Sequence, residues 1–325
     1  MSIPDDVHPQ VRAMLEKMIE LGIPKVQDLS AAAARDLVEQ LSAARLDSYP
    51  PPEVVEVVST TTGPGFGHVP VRIYRASEEA DAPSIVFFHG GGHVFGSLDS
   101  YDSAARFLAR TTGSTLVSVD YRMGPEHPFP AAAQDAYDAT RWVAAQADKL
   151  GIDRDRLTVC GDSAGGNLAA VVALMAQAGG EVALTAQVLI YPVIDYRGGT
   201  ASFTRYAQGY GILEAATMTW FMERYLPDPT QRDDLRACPR MAPSHAGLPP
   251  ALVVTAECDV LHDEGLAYGG QLKAAGVEVE HIHYPGMIHG FFTQLGLVDD
   301  AERSHHDIAR FLFKHWQKIP NNSDA

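Results

Sequence analysis

The chain has few cysteines, comparatively few basic residues and no long apolar run. Its three cysteines, Cys160, Cys238 and Cys258, are odd in number and lack metal-ligand spacing, which predicts free thiols. Acidic residues outnumber basic ones 41 to 25, and the formal net charge of −16 disfavours nucleic acid and anionic membrane surfaces as partners. No stretch could span a bilayer, and the first residues lack the pattern of a signal peptide. We therefore expect a soluble, cytoplasmic protein.

The length and the apolar content indicate one main domain with an attached cap. The chain has 325 residues, of which 46% are hydrophobic, enough for one large core. Apolar residues recur at helical spacing over residues 5–21 and 30–46, before any strand. We expect residues 1–49 to form N-terminal cap helices and residues 50–318 to form the catalytic domain. A polar tail, residues 319–325, follows.

The middle of the chain alternates strand-like and helix-like patterns. Residues 54–59 and 69–74 predict an antiparallel hairpin. Nearly continuous apolar runs, typical of parallel strands that are buried on both faces, occupy residues 84–88, 115–119, 157–160, 186–190 and 251–255, and a last strand covers 277–283. Helical stretches include 131–150 and 164–178. This order predicts an α/β fold with a mostly parallel eight-stranded sheet and helices on both faces.

The segment of residues 191–249 is too long to be a plain connection between two buried strands. It contains one helical pattern, over residues 213–225. We interpret the segment as the second part of the cap, lying over the strand ends together with the N-terminal helices. Its aromatic side chains either line an acyl or alcohol pocket or attach the cap to the core, and the pattern does not separate these alternatives.

The sequence Gly161-Asp162-Ser163-Ala164-Gly165 lies between a strand and a helix. A serine on a sharp turn requires small residues two positions before and two positions after it. The dipole of the following helix favours negative charge near the serine. Ser163 is therefore the candidate nucleophile, although this motif alone also fits a glycine-rich loop before an ordinary helix.

A second glycine-rich motif follows the strand at residues 84–88. Three consecutive glycines, Gly90, Gly91 and Gly92, allow the backbone to aim N–H groups at the oxygen of a reacting carbonyl. The preceding His89 is interpreted as a structural hydrogen-bonding residue that shapes this loop. Further along, the loop of residues 121–130 is expected to be an internal salt-bridged brace beneath the site.

Candidate partners for the serine follow the last two strands. Asp259 lies nearest to the end of the strand at residues 251–255, in a cluster with Glu257 and Asp263. His289 lies in a loop between glycines, after the last strand. The chain order of Ser163, Asp259 and His289 is the one that the α/β-hydrolase topology requires.

On these motifs the sequence resembles the hormone-sensitive-lipase-like family of bacterial esterases, in the α/β-hydrolase superfamily, over nearly the whole chain. The resemblance implies a triad of Ser163, Asp259 and His289, and no metal or organic cofactor. It further implies that the oxyanion-hole donors are the backbone N–H groups of Gly91, Gly92 and Ala164. The residues that support the motifs and loops of the site are then His89, Gly90, Asp162 and Glu257. The chain departs from the family pattern at His93, Val260 and Gly124, where an aromatic residue, proline and alanine are usual.

The resemblance implies a carboxylic ester hydrolase that works through an acyl-enzyme intermediate. A cap built from two segments predicts a covered pocket and a preference for small esters with short acyl chains. An amidase or lactonase with the same triad remains an alternative. A non-catalytic small-molecule receptor on the same fold is disfavoured because His289 is present. The sequence is compatible with a homodimer and does not determine the oligomeric state.

Overall fold

The computed structural model describes residues 3–317, without the side chain of Asp47, so the predicted tail at 319–325 lies outside the described residues. The eight strands are β1 (Glu56–Thr61), β2 (Pro70–Arg75), β3 (Ala82–Phe88), β4 (Thr115–Val119), β5 (Ile152–Asp162), β6 (Ala186–Ile190), β7 (Ala251–Cys258) and β8 (Val279–Ile288). The α-helices are α1 (Pro9–Glu20), α2 (Ala31–Ser48), α3 (Asp102–Thr112), α4 (Ala131–Ala145), α5 (Ala147–Leu150), α6 (Ala164–Gly179), α7 (Ala201–Arg205), α8 (Ala215–Tyr225), α9 (His262–Ala274) and α10 (Asp299–Trp316).

The strands form one sheet in the order β1-β2-β4-β3-β5-β6-β7-β8. β2 is antiparallel to both of its neighbours, and the remaining pairs are parallel. Every residue of β4 and β6 is buried, because helices cover both faces of the sheet. α3 packs against α10, and α4 packs against α6. The predicted mostly parallel, eight-stranded α/β sheet is confirmed.

The element boundaries differ from the predicted ones mainly at strand ends. β5 begins five residues before the predicted run, and its added residues 153–156, which are polar, lie at a register shift between the paired residues Ile152 and Leu157. β8 begins at Val279 and extends beyond the predicted end to Ile288. The helix predicted at 131–150 breaks at Gln146 into α4 and α5. No helix was predicted at α3 or α10.

The two N-terminal helices are present with shifted starts. α1 begins at Pro9 and not near Asp5, because proline suits the first helical position, where no backbone N–H is needed. Ser30 caps α2, its hydroxyl accepting a hydrogen bond from the N–H of Ala33 at 3.2 Å. Across residues 3–317, no helix combines the length and the apolar character needed to cross a membrane.

The segment 191–249 folds into α7, α8 and two short 3₁₀ helices, Pro229–Asp233 and Pro239–Met241. Polar side-chain contacts join it to the N-terminal region. Lys25 Nζ lies 2.6 Å from Glu214 Oε2, and the indole N–H of Trp220 donates to the carbonyl of Leu29 at 3.0 Å. We therefore propose that the two segments act as one cap over the carboxyl ends of the strands.

Candidate active site

Ser163 lies on the turn between β5 and α6, with φ 57° and ψ −117°. An L-residue rarely adopts this conformation, which requires close backbone packing around it. A Cβ atom on Gly165 would lie 1.9 Å from the carbonyl oxygen of Phe88, and one on Gly161 would lie 2.2 Å from that of Gly165. The serine is thus raised on a turn that tolerates only glycine at these two positions, as the spacing predicts.

The structure brings Ser163, His289 and Asp259 into one hydrogen-bonded chain. His289 Nε2 lies 2.8 Å from Ser163 Oγ, and His289 Nδ1 lies 2.7 Å from Asp259 Oδ2. The three residues are only 7%, 6% and 1% exposed, respectively. With its proton on Nδ1, facing the carboxylate, the imidazole presents the Nε2 lone pair to the serine hydroxyl. This arrangement can remove a proton from Ser163.

Asp259 directly follows β7, and its two carboxylate oxygens have separate partners. Oδ1 accepts the backbone N–H of Leu261 at 2.9 Å, while Oδ2 faces His289. The backbone contact therefore fixes the orientation of the carboxylate before it meets the histidine. Val260, where proline is usual in the resembled family, is fully buried.

His289 directly follows β8. Gly290 has a φ of 82°, which lets the chain turn at once after the histidine. The ring of Tyr191 lies 4.6 Å from the imidazole, between centroids. Glu257 Oε2 accepts the backbone N–H of Gly286 at 2.7 Å, so Glu257 holds the chain that leads to His289 and does not contact the imidazole itself.

The glycine loop after β3 approaches the serine turn. Gly92 has a φ of 62°, and a Cβ atom there would lie 2.1 Å from the ring of Phe221 in α8. Within residues 3–317, the backbone N–H groups of Gly91, Gly92 and Ala164 have no hydrogen-bond acceptor. Unpaired donors near a nucleophile can hold a developing oxyanion.

Asp162 links the serine turn to the glycine loop. Its Oδ1 accepts the N–H of Gly90 at 2.8 Å, and its Oδ2 accepts the hydroxyl of Tyr101 at 3.1 Å. Burial raises the pKa of Asp162 to about 6. His89 is also buried, its Nδ1 lies 2.7 Å from the carbonyl of Gly90, and burial lowers its pKa to about 4. Both side chains shape the loop.

His93 is fully buried beneath the cap. Its ring stacks on Tyr225 at 3.8 Å between centroids, and its Nε2 lies 2.9 Å from the hydroxyl of Tyr196. Burial lowers the pKa of His93 to about 3, so the imidazole is neutral near pH 7. Its contacts attach the loop to the cap, and it brings no charge to the site.

The charged side chains Arg122 and Glu126 of the loop 121–130 are salt-bridged, as predicted, and their partners lie in elements outside the loop. Arg122 pairs with Asp135 of α4 at 2.7 Å. Glu126 pairs with Arg35 of α2 at 2.6 Å. Contacts between residues distant in sequence leave no local pattern. For the same reason, the contacts of Arg35, Tyr196 and Tyr225 with the glycine loop were not predicted.

The remaining residues singled out in the sequence have contacts outside the hydrogen-bonded chain of Ser163, His289 and Asp259. Asp263 Oδ2 accepts the backbone N–H of Ser202, which holds α7. The three cysteines are buried free thiols. Among the described residues, no group of three or more histidine, cysteine or acidic side chains is arranged to hold a metal ion.

Comparison with known proteins identifies the family. A family described as alpha/beta hydrolase fold matches residues 85–293. An ethyl acetate hydrolase of Pseudomonas putida is 37% identical over 318 residues, which cover 95% of this chain and 99% of the relative. Carboxylesterase NlhH of Mycobacterium tuberculosis is 40% identical over 266 residues, covering 79% and 83%.

Solved structures agree with the sequence matches. An esterase of Pyrobaculum calidifontis superposes with a TM-score of 0.89 at 39% identity, covering 95% of this chain and 98% of that one. A metagenomic ester hydrolase from Lake Arreo, in complex with a phosphonate derivative, superposes with a TM-score of 0.90 at 37% identity, covering 96% and 99%. This chain belongs to the hormone-sensitive-lipase-like esterase family of the α/β-hydrolase superfamily.

Proposed function

We propose that this carboxylesterase hydrolyses small esters with short acyl chains, using Ser163, His289 and Asp259 as its catalytic triad. The observation that carries the proposal is the pair of short contacts, 2.8 Å and 2.7 Å, that joins the serine to the histidine and the histidine to the aspartate. A buried serine with a neutral base in hydrogen-bond contact is the arrangement that nucleophilic acyl transfer needs.

In the first half-reaction, Ser163 Oγ attacks the carbonyl carbon of the ester while His289 Nε2 takes the hydroxyl proton. Collapse of the tetrahedral intermediate breaks the bond to the leaving oxygen, and His289 returns the proton to the departing alcohol. Asp259 stabilises the imidazolium that forms between these steps. Water then attacks the acyl-enzyme by the same route and releases the carboxylic acid.

The negative oxygen of each tetrahedral intermediate needs hydrogen-bond donors. We assign this role to the N–H groups of Gly91, Gly92 and Ala164, which lack acceptors within residues 3–317. The N-terminus of α6, at Ala164, adds a favourable dipole. Removing one such donor in a serine hydrolase typically lowers kcat by about 10² to 10³-fold.

The preference for short acyl chains follows from how the site is covered. Ser163 is only 7% exposed, and Phe221 of the proposed cap lies against the glycine loop. Each additional methylene that fits should favour binding by about 0.8 kcal/mol, until the pocket is filled. Rates should then fall, because further carbons clash or remain in water. The name of the Pseudomonas putida relative, an ethyl acetate hydrolase, is consistent with a small substrate.

The test is turnover of a chromogenic ester series from acetate to palmitate, with an emulsified triglyceride as a separate substrate. We expect the maximum at acyl chains of about two to six carbons, the range over which a small apolar pocket gains from each methylene. Mass spectrometry after treatment with a phosphonate ester should find the adduct on Ser163. A maximum at the long-chain end, or activation at the emulsion interface, would show that the cap is open.

A further inference from the structure

The guanidinium group of Arg35, on α2, contacts the loop that carries the proposed oxyanion donors. Its Nε donates to the carbonyl of Val94 at 2.8 Å, and its Nη2 donates to the carbonyl of Gly124 at 2.7 Å. Val94 is only two residues beyond Gly92. We infer that Arg35 is a positioning residue that holds the oxyanion loop in its active geometry, so that docking of the N-terminal cap helix and stabilisation of the transition state are coupled. The inference rests on the proposed function.

The loop depends on contacts from outside because its own backbone bonds are few. Within the loop, the N–H groups of Val94 and Phe95 both donate to the carbonyl of Gly91, at 3.0 and 3.1 Å. On the core side, Asp162 holds the N–H of Gly90 at 2.8 Å. On the cap side, Arg35 holds the carbonyl of Val94. Between these two anchors lie Gly91, Gly92 and His93.

Arg35 also joins the glycine loop to the loop 121–130. The N–H of Gly124 donates to the carbonyl of His93 at 2.8 Å, and the carbonyl of Gly124 accepts from Arg35. The guanidinium therefore bridges two loops that already pair with each other. A lysine could not do the same, since its ammonium lacks the planar fork that spans two carbonyls and a carboxylate together.

The ion pair with Glu126 is secondary in this arrangement. The carboxylate of Glu126 is 54% exposed, and an exposed pair contributes little free energy of its own. The hydrogen bond from Arg35 lowers the pKa of Glu126 to about 2, so the carboxylate stays charged at neutral pH and compensates the guanidinium. The two carbonyl contacts, and not this ion pair, connect Arg35 to the two loops.

Loss of Arg35 should act on the chemical step. A displacement of the donors by a fraction of an ångström weakens their bonds to the oxyanion, and misplacements of about 1 Å can cost about 10²-fold in rate. We therefore expect Arg35→Ala to lower kcat by about 10- to 10²-fold on the best short-chain ester. KM should change little, because the ground-state ester does not yet carry the negative oxygen.

The experiment compares four variants with the wild type: Arg35→Ala, Arg35→Lys, Glu126→Gln and Tyr49→Phe. Glu126→Gln removes the ion pair but leaves both carbonyl contacts. Tyr49→Phe removes a 2.7 Å hydrogen bond to Glu302 at the other end of α2, far along the helix from the loop. The readouts are kcat, KM, and the inhibition constant of a trifluoromethyl ketone, whose adduct with a serine carries a negative oxygen.

We expect kcat and trifluoromethyl ketone affinity to fall by similar factors in Arg35→Ala, to fall less in Arg35→Lys, and to remain near wild type in Glu126→Gln and Tyr49→Phe. Equal losses in Arg35→Ala and Glu126→Gln would overturn the inference, because the ion pair alone would then explain them. If Arg35→Ala does not fold, wild-type kcat and inhibitor affinity in Arg35→Lys would overturn it as well. A failure of the proposed function can be distinguished from a failure of this inference, because activity would then be retained in a Ser163 variant.

Discussion

The serine turn and the contact of α2 with the glycine loop are held in place by different forces. Around Ser163, α6 is buried at most of its positions, and close backbone packing at Gly161 and Gly165 sets the turn. α2, in the proposed cap, instead contacts the glycine loop through a side-chain hydrogen bond, from Arg35 to the carbonyl of Val94. The serine turn therefore depends on backbone packing in the core, whereas the contact of α2 depends on a replaceable side chain.

This difference indicates where changes in sequence can alter specificity without loss of the fold. A substitution in the core moves backbone that several strands share. A substitution on α2 removes one bond from a helix that contributes little to the main core, since Ala34 is the only buried residue among the described side chains of α2. Four substitutions, in order of decreasing expected effect, test this contrast.

The largest effect is expected from Ser163→Ala, which removes the nucleophile from the core side of the site. By analogy with other serine triads, kcat should fall by about 10⁶-fold, with the fold unchanged because alanine is smaller than serine. Turnover of a short-chain ester and a thermal unfolding curve are the measurements. More than a few per cent of the activity, in a preparation free of wild-type enzyme, would contradict the assignment of the nucleophile.

A smaller effect, on stability, is expected from Asp162→Asn. Burial raises the pKa of Asp162 from 3.8 to about 6, so between these values the folded state holds more protons than the unfolded state. The contribution of this group to the free energy of unfolding is therefore fully present below pH 3.8. It is lost as the pH rises through 6, by roughly 3 kcal/mol in all. Asparagine can still accept the N–H of Gly90 but does not titrate.

The measurement is the free energy of unfolding in urea, at pH 4 and at pH 7, for the wild type and Asp162→Asn. The difference in unfolding free energy, Asp162→Asn minus wild type, should be larger at pH 7 than at pH 4 by most of that amount, because pH 4 lies just above the unfolded-state pKa of 3.8. The control is Asp155→Asn, at an exposed position. An unchanged difference between the two pH values would mean that Asp162 does not carry the raised pKa.

The smallest effects are expected from replacing a tryptophan by phenylalanine, once in the proposed cap and once in the core. Trp220 donates to Leu29 within the cap, and Trp316 donates to Thr158 Oγ1 beneath the sheet at 3.2 Å. Both indoles are 5% exposed. Tryptophan to phenylalanine removes a hydrogen bond worth about 1 kcal/mol at either position. Trp316→Phe should lower the global free energy of unfolding, whereas Trp220→Phe should mainly loosen the cap.

Hydrogen exchange followed by mass spectrometry separates these outcomes. In Trp220→Phe, faster exchange should be confined to α8 and residues 26–34, because local opening needs only the cap contacts to break. In Trp316→Phe, exchange in the central strands should rise with the loss of global stability. Identical exchange patterns in the two variants would mean that cap and core unfold as one unit.

Much of the architecture was predictable from local patterns. Continuous apolar runs located the buried parallel strands β3, β4 and β6, because a strand covered on both faces needs apolar side chains throughout. Strand ends were less predictable, as in β5, which begins with polar residues at a register shift. The helices α3 and α10 were not predicted.

The candidates for the site could be identified from local patterns in the chain, because each motif has a local steric or chemical reason: small residues around Ser163, three glycines after β3, and a histidine between glycines after the last strand. What surrounds these residues depends on tertiary contacts. The neutral packing of His93 against Tyr225, and the contact of Arg35 with Val94, join residues far apart in the chain. Such contacts leave no periodicity and no spacing in the sequence, since they depend on how the cap docks onto the strand ends.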